Sequence, residues 1–312
     1  MPRDEIDGKK VKKPDRSPVA KANMHFGAHI EGHFDGEEKW LVPGGSHTYQ
    51  IPVRWDEYYA DQAKFDRDVA LLKGYRFGFG VRCVPEEHRL WEGYRGSPVK
   101  PTSYQSFVDF LVFLIKRYGP LYVELLNEQN SERDEAKPFE SYFGAGMIDG
   151  EDPEIGGARY REMLAYVYPR VKRACPKVSI HAGALMNNSF RNGFMRGIFK
   201  KGDRRKLADF LSFHYYLGIN TPFDSIYEQI ATLRRYTSLP FVLAETSVLA
   251  PKDSPELQKQ QRDWLIYLMK KRSSIGLHLI LWYTLANNGW FNSDAVFKDV
   301  PKPVYGVLCA AG

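Results

Sequence analysis

Short apolar runs alternate with amphipathic stretches along most of this chain. Such alternation is typical of a parallel sheet in which each strand is followed by a helix. Several runs are apolar throughout, as expected of strands that are covered on both faces. The pattern predicts eight strands, the number that closes a (β/α)8 barrel. They are Met24–Ile30, Tyr49–Trp55, Arg76–Val84, Leu121–Asn127, Val178–Ala184, Asp209–Tyr215, Pro240–Glu245 and His278–Thr284.

The stretches between these strands predict helices, because their apolar residues recur at the spacing of one helical face. Residues 1–22 carry no such period and are predicted to be a flexible tail before a single barrel domain, 23–312. No helix is predicted in Glu31–Thr48, and the loop Pro85–Pro101 is long. The predicted helices are Asp61–Gly74, Ser103–Tyr118, Ala158–Ala174, Ser225–Tyr236 and Ser254–Arg272.

Composition narrows the class of protein. With 312 residues, 43% hydrophobic and 26% charged, the chain is typical of a soluble α/β barrel, and no run is long enough for a membrane span. The N-terminus has no secretory signal, which predicts a cytoplasmic protein if the chain is complete and a secreted one if a signal was trimmed. The cysteines, Cys83, Cys175 and Cys309, are too few for a disulfide framework and are predicted to be buried free thiols.

The net charge of +6 does not indicate a nucleic-acid partner, because the basic residues are scattered and no nucleic-acid motif accompanies them. Aromatic residues are more informative, at 14% of the chain with 19 tyrosines. Flat rings with polar edges suit stacking on sugars. Carbohydrate is therefore the expected partner, whereas the sequence predicts no oligomeric state.

Two glutamates end predicted strands. Glu128 follows the fourth strand and Glu245 ends the seventh. An ionised carboxylate at the edge of an apolar strand is unfavourable unless it is paired, hydrated or used in chemistry. Active sites of these barrels lie where strands end, so two such residues favour a catalytic pair.

This arrangement resembles clan A of the glycoside hydrolases, nearest to family 39. The resemblance covers residues 24 to 310 and rests on six elements in strand order. They are Val53-Arg54-Trp55, Asn127-Glu128, Phe213-His214-Tyr215-Tyr216, Glu245, Trp282 and Lys302-Pro303-Val304-Tyr305.

The resemblance implies a retaining hydrolase without metal or cofactor, in which Glu245 is the nucleophile and Glu128 the acid/base. Arg54 would hold Glu245 ionised, Tyr216 would hydrogen-bond the same carboxylate, and Asn127 would bind a sugar hydroxyl. Further substrate contacts would come from His214, His29, Trp282, which would stack on the sugar, and Trp290.

Other interpretations stay open. Arg54 could belong to a structural ion pair, with Arg82 as the rival for its role, and His214 could be a core histidine. The clan usually has a proline after Asn-Glu, and its replacement by Gln129 predicts a looser loop.

Two other functions remain as alternatives. One is a barrel that binds carbohydrate without catalysis. The other is a metal-dependent hydrolase that uses His25, His29, Glu31 and His33. Four residues of strand span about 13 Å, which is too far for neighbouring ligands on one metal.

Overall fold

The computed structural model describes residues 25–30, 37–42, 47–131, 141–143, 152–188, 191–250, 252–285, 295–297 and 300–310. Eight parallel strands close into a barrel in sequence order, with β1 beside β8, which confirms the (β/α)8 prediction. The strands are β1 (His25–His29), β2 (His47–Arg54), β3 (Arg76–Arg82), β4 (Tyr122–Leu125), β5 (Ser179–Leu185), β6 (Phe210–Gly218), β7 (Phe241–Leu249) and β8 (Leu277–Trp282).

Helices pack around the barrel. All five predicted helices are confirmed, and three short helices, α1, α5 and α8, were not predicted. The helices are α1 (Trp55–Tyr58), α2 (Gln62–Leu71), α3 (Tyr104–Tyr118), α4 (Pro153–Ala174), α5 (Arg191–Ile198), α6 (Ser225–Arg234), α7 (Pro255–Ile275) and α8 (Pro303–Ala310). Two-residue strands β9 (Val296–Phe297) and β10 (Val300–Pro301) form a small antiparallel pair.

Local sequence sets the ends of the longer helices. The side chain of Asp152 accepts a hydrogen bond from Glu154 N before α4, and Ser254 does the same for Leu257 N before α7. Gly119 and Gly276 end α3 and α7 in the left-handed conformation that glycine adopts without strain.

The connection between β1 and β2 contains a short 3-10 helix, Glu37–Trp40. Its neighbours 31–36 and 43–46 lie outside the described residues, as does the predicted tail 1–22. The Lys-Pro-Val-Tyr element begins α8, and Tyr305 of this helix donates a hydrogen bond to Trp40 O at 3.2 Å. The C-terminal helix is thereby attached to the first connection of the barrel.

The barrel interior holds its own small apolar cluster, formed by Tyr122, Val242, Ala244, Leu279 and Leu281. The Tyr122 ring lies against Gly78 of the neighbouring strand β3, where a Cβ would lie 2.2 Å from Cζ of Tyr122. The much larger core lies between strands and helices.

Among the described residues, no helix combines the length and apolar character needed to cross a bilayer. Cys83 and Cys175 are buried free thiols as predicted, whereas Cys309, on α8, is exposed.

Candidate active site

The C-terminal ends of the strands converge on a polar pocket. His29 ends β1, Arg82 ends β3, Asn127 follows β4 and Glu245 lies on β7, and all four line the same small cavity. In barrels of this fold, the strand ends and following loops are where reactive groups are placed.

Glu128 and Glu245 meet at His214 of β6. Nδ1 of His214 lies 2.8 Å from Oε1 of Glu128 and 3.3 Å from Oε2 of Glu245. One ligand atom from each of the three residues lies within 4.8 Å of the other two, and all three residues are buried. The sequence placed these residues on three strands, and the fold brings them to one point.

An irregular backbone positions Glu128. Strand β4 ends at Leu125, and Leu126 and Glu128 then adopt positive φ angles of 68° and 48°. Non-glycine residues rarely adopt this conformation, and such positions concentrate at functional sites. The hydroxyl of Tyr160 stabilises the turn, because it donates a hydrogen bond to Leu125 O at 2.9 Å.

The prediction of a looser loop after Glu128 stays a prediction, because residues 132–140 of this connection lie outside the described residues, but its first residues are held by hydrogen bonds. Gln129 is fully buried and donates to Leu125 O at 2.7 Å. Asn130 is also buried; its amide donates to Met186 O at 3.0 Å and accepts from Met186 N at 2.8 Å. These two amides replace the restraint that a proline would supply.

A β-bulge positions Glu245. The pairing of β7 shifts register against β6 between Phe213 and His214, and against β8 between Leu243 and Thr246. A bulge redirects side chains locally. Ala244 therefore packs in the barrel interior while the next residue, Glu245, also lines the pocket.

His29 supports the same bulge. Its Nε2 donates to Ala244 O at 2.6 Å. Burial, together with the nearby His214 and Arg82, lowers the pKa of His29 to about 3. The imidazole is therefore neutral at working pH, and its Nε2 proton is held by the carbonyl that precedes Glu245.

Tyr216 forms the predicted hydrogen bond with Glu245, with Oη 2.5 Å from Oε2. Burial and the adjacent carboxylate raise the pKa of Tyr216 well above 10. The phenol therefore stays protonated and remains a donor. A hydrogen bond to the charged form of a carboxyl favours that form.

The role given to Arg54 requires correction. Arg54 pairs with Glu57 at 3.2 Å and lines a separate cavity with Tyr58, so it belongs to a structural ion pair. Arg82 lines the pocket with Glu245 and is buried. The structure therefore favours Arg82 as the cation of this site.

The prediction that Trp282 stacks on the sugar also requires correction. It is fully buried in the core between strands and helices, and so faces away from the pocket. Tyr283, the next residue, is half-buried, with its ring 5.5 Å from His29 and 6.1 Å from Tyr216. Trp290 lies outside the described residues.

A further carboxyl, which was not predicted from the sequence, lies below the pair. Glu124 of β4 is buried in the barrel and accepts a hydrogen bond from Gln50 Nε2 at 3.0 Å. Burial raises its pKa. The two-residue period from Glu124 to Leu126 was the available signal, because alternate residues of a barrel strand face inward.

The three converging side chains could also hold a metal ion, since two carboxylates and one imidazole are suitable ligands. Of the other proposed set, Glu31 and His33 lie outside the described residues, and Nε2 of His29 donates a hydrogen bond to Ala244 O.

No family model and no curated protein matches this sequence. Among solved structures, a family 39 glycoside hydrolase from Bacteroides cellulosilyticus is similar, with 14% identity, a TM-score of 0.62, and coverage of 93% of this chain and 64% of the other. The family 39 enzyme from Xanthomonas axonopodis pv. citri has 15% identity, a TM-score of 0.63, and coverage of 91% and 65%.

An intracellular xylanase from Thermoanaerobacterium saccharolyticum has 12% identity and a TM-score of 0.60, with coverage of 92% of this chain and 95% of that chain. The chain shares its fold with glycoside hydrolases. It spans slightly under two thirds of the two family 39 structures, and nearly all of the xylanase. The expected clan A resemblance is thus confirmed in the fold.

Proposed function

We propose that this protein is a retaining glycoside hydrolase that cleaves O-glycosidic, β-linked bonds of an oligo- or polysaccharide. The observation that carries the proposal is that one carboxylate oxygen of Glu128 and one of Glu245 lie within 4.8 Å of each other at the C-terminal mouth of the barrel. Retaining enzymes hold their carboxyls about 5–5.5 Å apart, whereas inverting enzymes need about 6.5–9.5 Å for an intervening water.

The surroundings of the two carboxyls support different roles. Glu245 accepts a hydrogen bond from a phenol that stays protonated, which favours its ionised form and suits a nucleophile. Two like charges at this distance repel each other, so the second carboxyl is favoured to keep a proton. Glu128, beside the imidazole of His214, is then the acid/base.

In the first step, an oxygen of Glu245 bonds to the anomeric carbon. The bond from that carbon to the leaving oxygen breaks as Glu128 gives the oxygen its proton. In the second step, a water oxygen attacks the anomeric carbon, Glu128 takes the proton from that water, and the bond to Glu245 breaks. His214 holds the acid/base in place, while Asn127, Arg82 and Tyr283 face the sugar.

The test compares hydrolysis of an aryl β-glycoside panel by the wild type, Glu128→Gln and Glu245→Gln. Loss of acid/base catalysis should lower kcat by about 10²–10⁴-fold, and loss of the nucleophile by at least as much. Glu162→Gln, on the exposed side of α4, is the matched control and should retain full activity. Full activity in both pocket variants would end the proposal.

A 2-deoxy-2-fluoro glycoside with a good leaving group gives a second readout, because it accumulates the covalent intermediate. Mass spectrometry of the digested protein should locate the sugar ester on Glu245. Azide should restore activity to Glu128→Ala, because a small anion can occupy the space that the carboxylate leaves.

Two further outcomes would identify the alternatives. Saturable oligosaccharide binding without turnover across the panel would indicate a carbohydrate-binding barrel. Activity that is lost in chelator and restored by zinc would indicate that Glu128, His214 and Glu245 hold a metal.

A further inference from the structure

A series of hydrogen bonds runs through the barrel interior toward the carboxylate pair. Oη of Tyr122 donates to Oε1 of Gln50 at 2.9 Å, and Nε2 of Gln50 donates to Oε1 of Glu124 at 3.0 Å. The phenol of Tyr122 stays protonated, because burial and the neighbouring Glu124 raise its pKa well above 10. Both donors of the series therefore point toward the C-terminal mouth of the barrel.

Glu124, four residues before Glu128, has one oxygen that this series does not use. Glu124 is 1% exposed, and no described residue forms a hydrogen bond with its Oε2. The hydroxyl of Ser212 lies near the same carboxyl, but it donates to Ala182 O at 3.3 Å and accepts from Ala184 N at 2.9 Å. Oε2 of Glu124 therefore requires a partner other than Ser212.

His214 also has one ring nitrogen in need of a partner. Its Nδ1 faces two carboxyl oxygens, of Glu128 at 2.8 Å and of Glu245 at 3.3 Å. Carboxylate oxygens accept hydrogen bonds, so the proton of a neutral imidazole belongs on Nδ1, and Nε2 is then an acceptor. Nε2 is buried without a hydrogen bond to any described residue, and His214 is 2% exposed.

The two atoms that need partners belong to neighbouring side chains. Burial has the largest effect on the pKa of Glu124, and the nearby His214 has the next largest, ahead of Arg82. Glu124 lies on β4 and His214 on β6, and side chains from alternate strands meet in the interior of such a barrel. Buried polar atoms without a hydrogen bond are unfavourable, so a bond between these two side chains would satisfy both.

A hydrogen bond between Glu124 and His214 needs one donor. The proton of the imidazole is on Nδ1, beside the carboxylate pair, so the donor must be the carboxyl of Glu124. Oε1 of this carboxyl accepts from Gln50, which leaves Oε2 to carry a proton. Burial raises the pKa of Glu124 and thus favours the protonated form, in which Oε2–H is a donor.

We propose that Glu124 is a positioning residue for the acid/base: its Oε2 donates a hydrogen bond to Nε2 of His214, directly or through one water, and holds the imidazole with its proton on Nδ1. His214 then donates that proton in a hydrogen bond to Glu128. With the proton on Nε2, the ring would instead turn a lone pair toward the two carboxyls. The inference rests on the proposed glycosidase function, and Glu124 acts in it only through His214.

The first experiment locates the imidazole proton without any substrate. The eight histidines of the full chain are labelled with nitrogen-15, and NMR at neutral pH shows which ring nitrogens carry protons. Loss of signals in His214→Gln identifies those of His214. We expect the proton on Nδ1 in the wild type and in Glu124→Gln, whose amide is also a donor. In Glu124→Met, which has no donor, the Nε2 signal should shift to that of a nitrogen without a hydrogen bond.

The second experiment compares two leaving groups, because dinitrophenolate departs without a proton whereas phenolate needs the proton of the acid/base. In Glu124→Met, kcat/KM should fall about tenfold for the phenyl glycoside and less than about threefold for the dinitrophenyl glycoside. Glu124→Gln should stay within about threefold of the wild type for both substrates. Thr48→Val, a buried polar-to-apolar change at the start of β2, is the control and should leave the ratio of the two kcat/KM values unchanged.

The inference is overturned if Nε2 of His214 carries a proton in the wild type, or if its signal is the same in Glu124→Met. It is equally overturned if Glu124→Met lowers kcat/KM for both glycosides by the same factor, as a general loss of structure would. If Glu124→Met does not fold, the spectra of the wild type and Glu124→Gln decide, since a proton on Nε2 in either contradicts the inference. If the wild type hydrolyses no glycoside, the proposed function fails, while the histidine spectra still test the bond between Glu124 and His214.

Discussion

His29 of β1 and Ala244 of β7, 215 positions apart, are joined by a hydrogen bond of 2.6 Å. Ala244 directly precedes Glu245, so this bond fixes the bulge that directs the carboxylate into the pocket. His29→Ala should lower kcat for glycoside hydrolysis by about tenfold or more, with a smaller change in KM, since a misplaced nucleophile raises the barrier. His29→Gln retains a donor and should recover part of kcat, whereas equal kcat values in all three proteins would exclude this role.

The hydroxyl of Tyr216 should matter for catalysis through its hydrogen bond to Glu245. Tyr216→Phe removes the hydrogen bond to Oε2 and is expected to lower kcat/KM by about 10- to 100-fold, the loss of about 1.4–3 kcal/mol for a hydrogen bond to a charged group. Tyr227→Phe, on the exposed face of α6, is the control and should leave kcat/KM unchanged. Unaltered kinetics in Tyr216→Phe would show that the phenol hydroxyl does not contribute to catalysis.

Neighbouring aromatic residues at the end of β8 should differ in their effects. Tyr283→Ala should raise KM, because it removes the ring that lies beside His29 and Tyr216. Trp282→Phe should lower Tm and leave KM nearly unchanged, since its ring is buried behind the strand. Steady-state kinetics and thermal unfolding of both variants give KM and Tm. If Trp282→Phe raises KM and Tyr283→Ala does not, Trp282 is the residue that stacks on the sugar.

Substitutions of Arg82 and of Arg54 should have different effects on kcat/KM. Arg82→Met removes the cation that lines the pocket with Glu245 and should lower kcat/KM by about 10²-fold or more, as loss of a fixed charge in a buried site does. Arg54→Met breaks a partly exposed ion pair with Glu57 and should change kcat/KM by less than about threefold. A larger effect at Arg54 would return it to the role that the sequence suggested.

Two buried histidines predict acid sensitivity. His29 and His181 both have a pKa of about 3 in the folded chain, against an ordinary value of 6.5. Below pH 6.5 the unfolded chain binds protons that the folded chain does not. The free energy of unfolding should therefore fall as pH drops toward 3, by up to about 1.4 kcal/mol per pH unit for each histidine.

Glu124 acts in the opposite direction, because burial raises its pKa and the folded chain then binds a proton first. Urea unfolding at several pH values between 7.5 and 5 measures the combined effect of the two histidines and Glu124 on the free energy of unfolding. His181→Gln should give a shallower loss of stability below pH 6.5. An identical pH dependence in variant and wild type would show that His181 is not the source.

All eight strands could be predicted because short strand-like runs alternate with amphipathic stretches, and several of these runs are apolar throughout, as strands covered on both faces are. Where a run is apolar throughout, the sequence does not indicate which side chains face the barrel interior and which face the helices. Residues 279–282 are all apolar, so the sequence did not indicate that Trp282 faces the helices and Tyr283 the pocket.

The bulges and the long-range hydrogen bonds could not be predicted from the sequence for a different reason. The inward turn of Glu245 depends on register shifts against β6 and β8, and the burial of Asn130 depends on Met186, which follows β5. Neither partner is adjacent in the chain. The short helices α1 and α5 have too few turns to display a period.

The close approach of Gly78 and Tyr122 has a consequence for both ends of the barrel. The Tyr122 ring stacks on His181 at the N-terminal mouth, and its hydroxyl donates to Gln50, which in turn donates to Glu124 beneath the carboxylate pair. A side chain at position 78 would displace this ring. One added methyl group there would therefore disturb both the N-terminal mouth of the barrel at His181 and the region of Glu124 beneath the carboxylate pair, because both contact the same tyrosine or its hydrogen-bond partner.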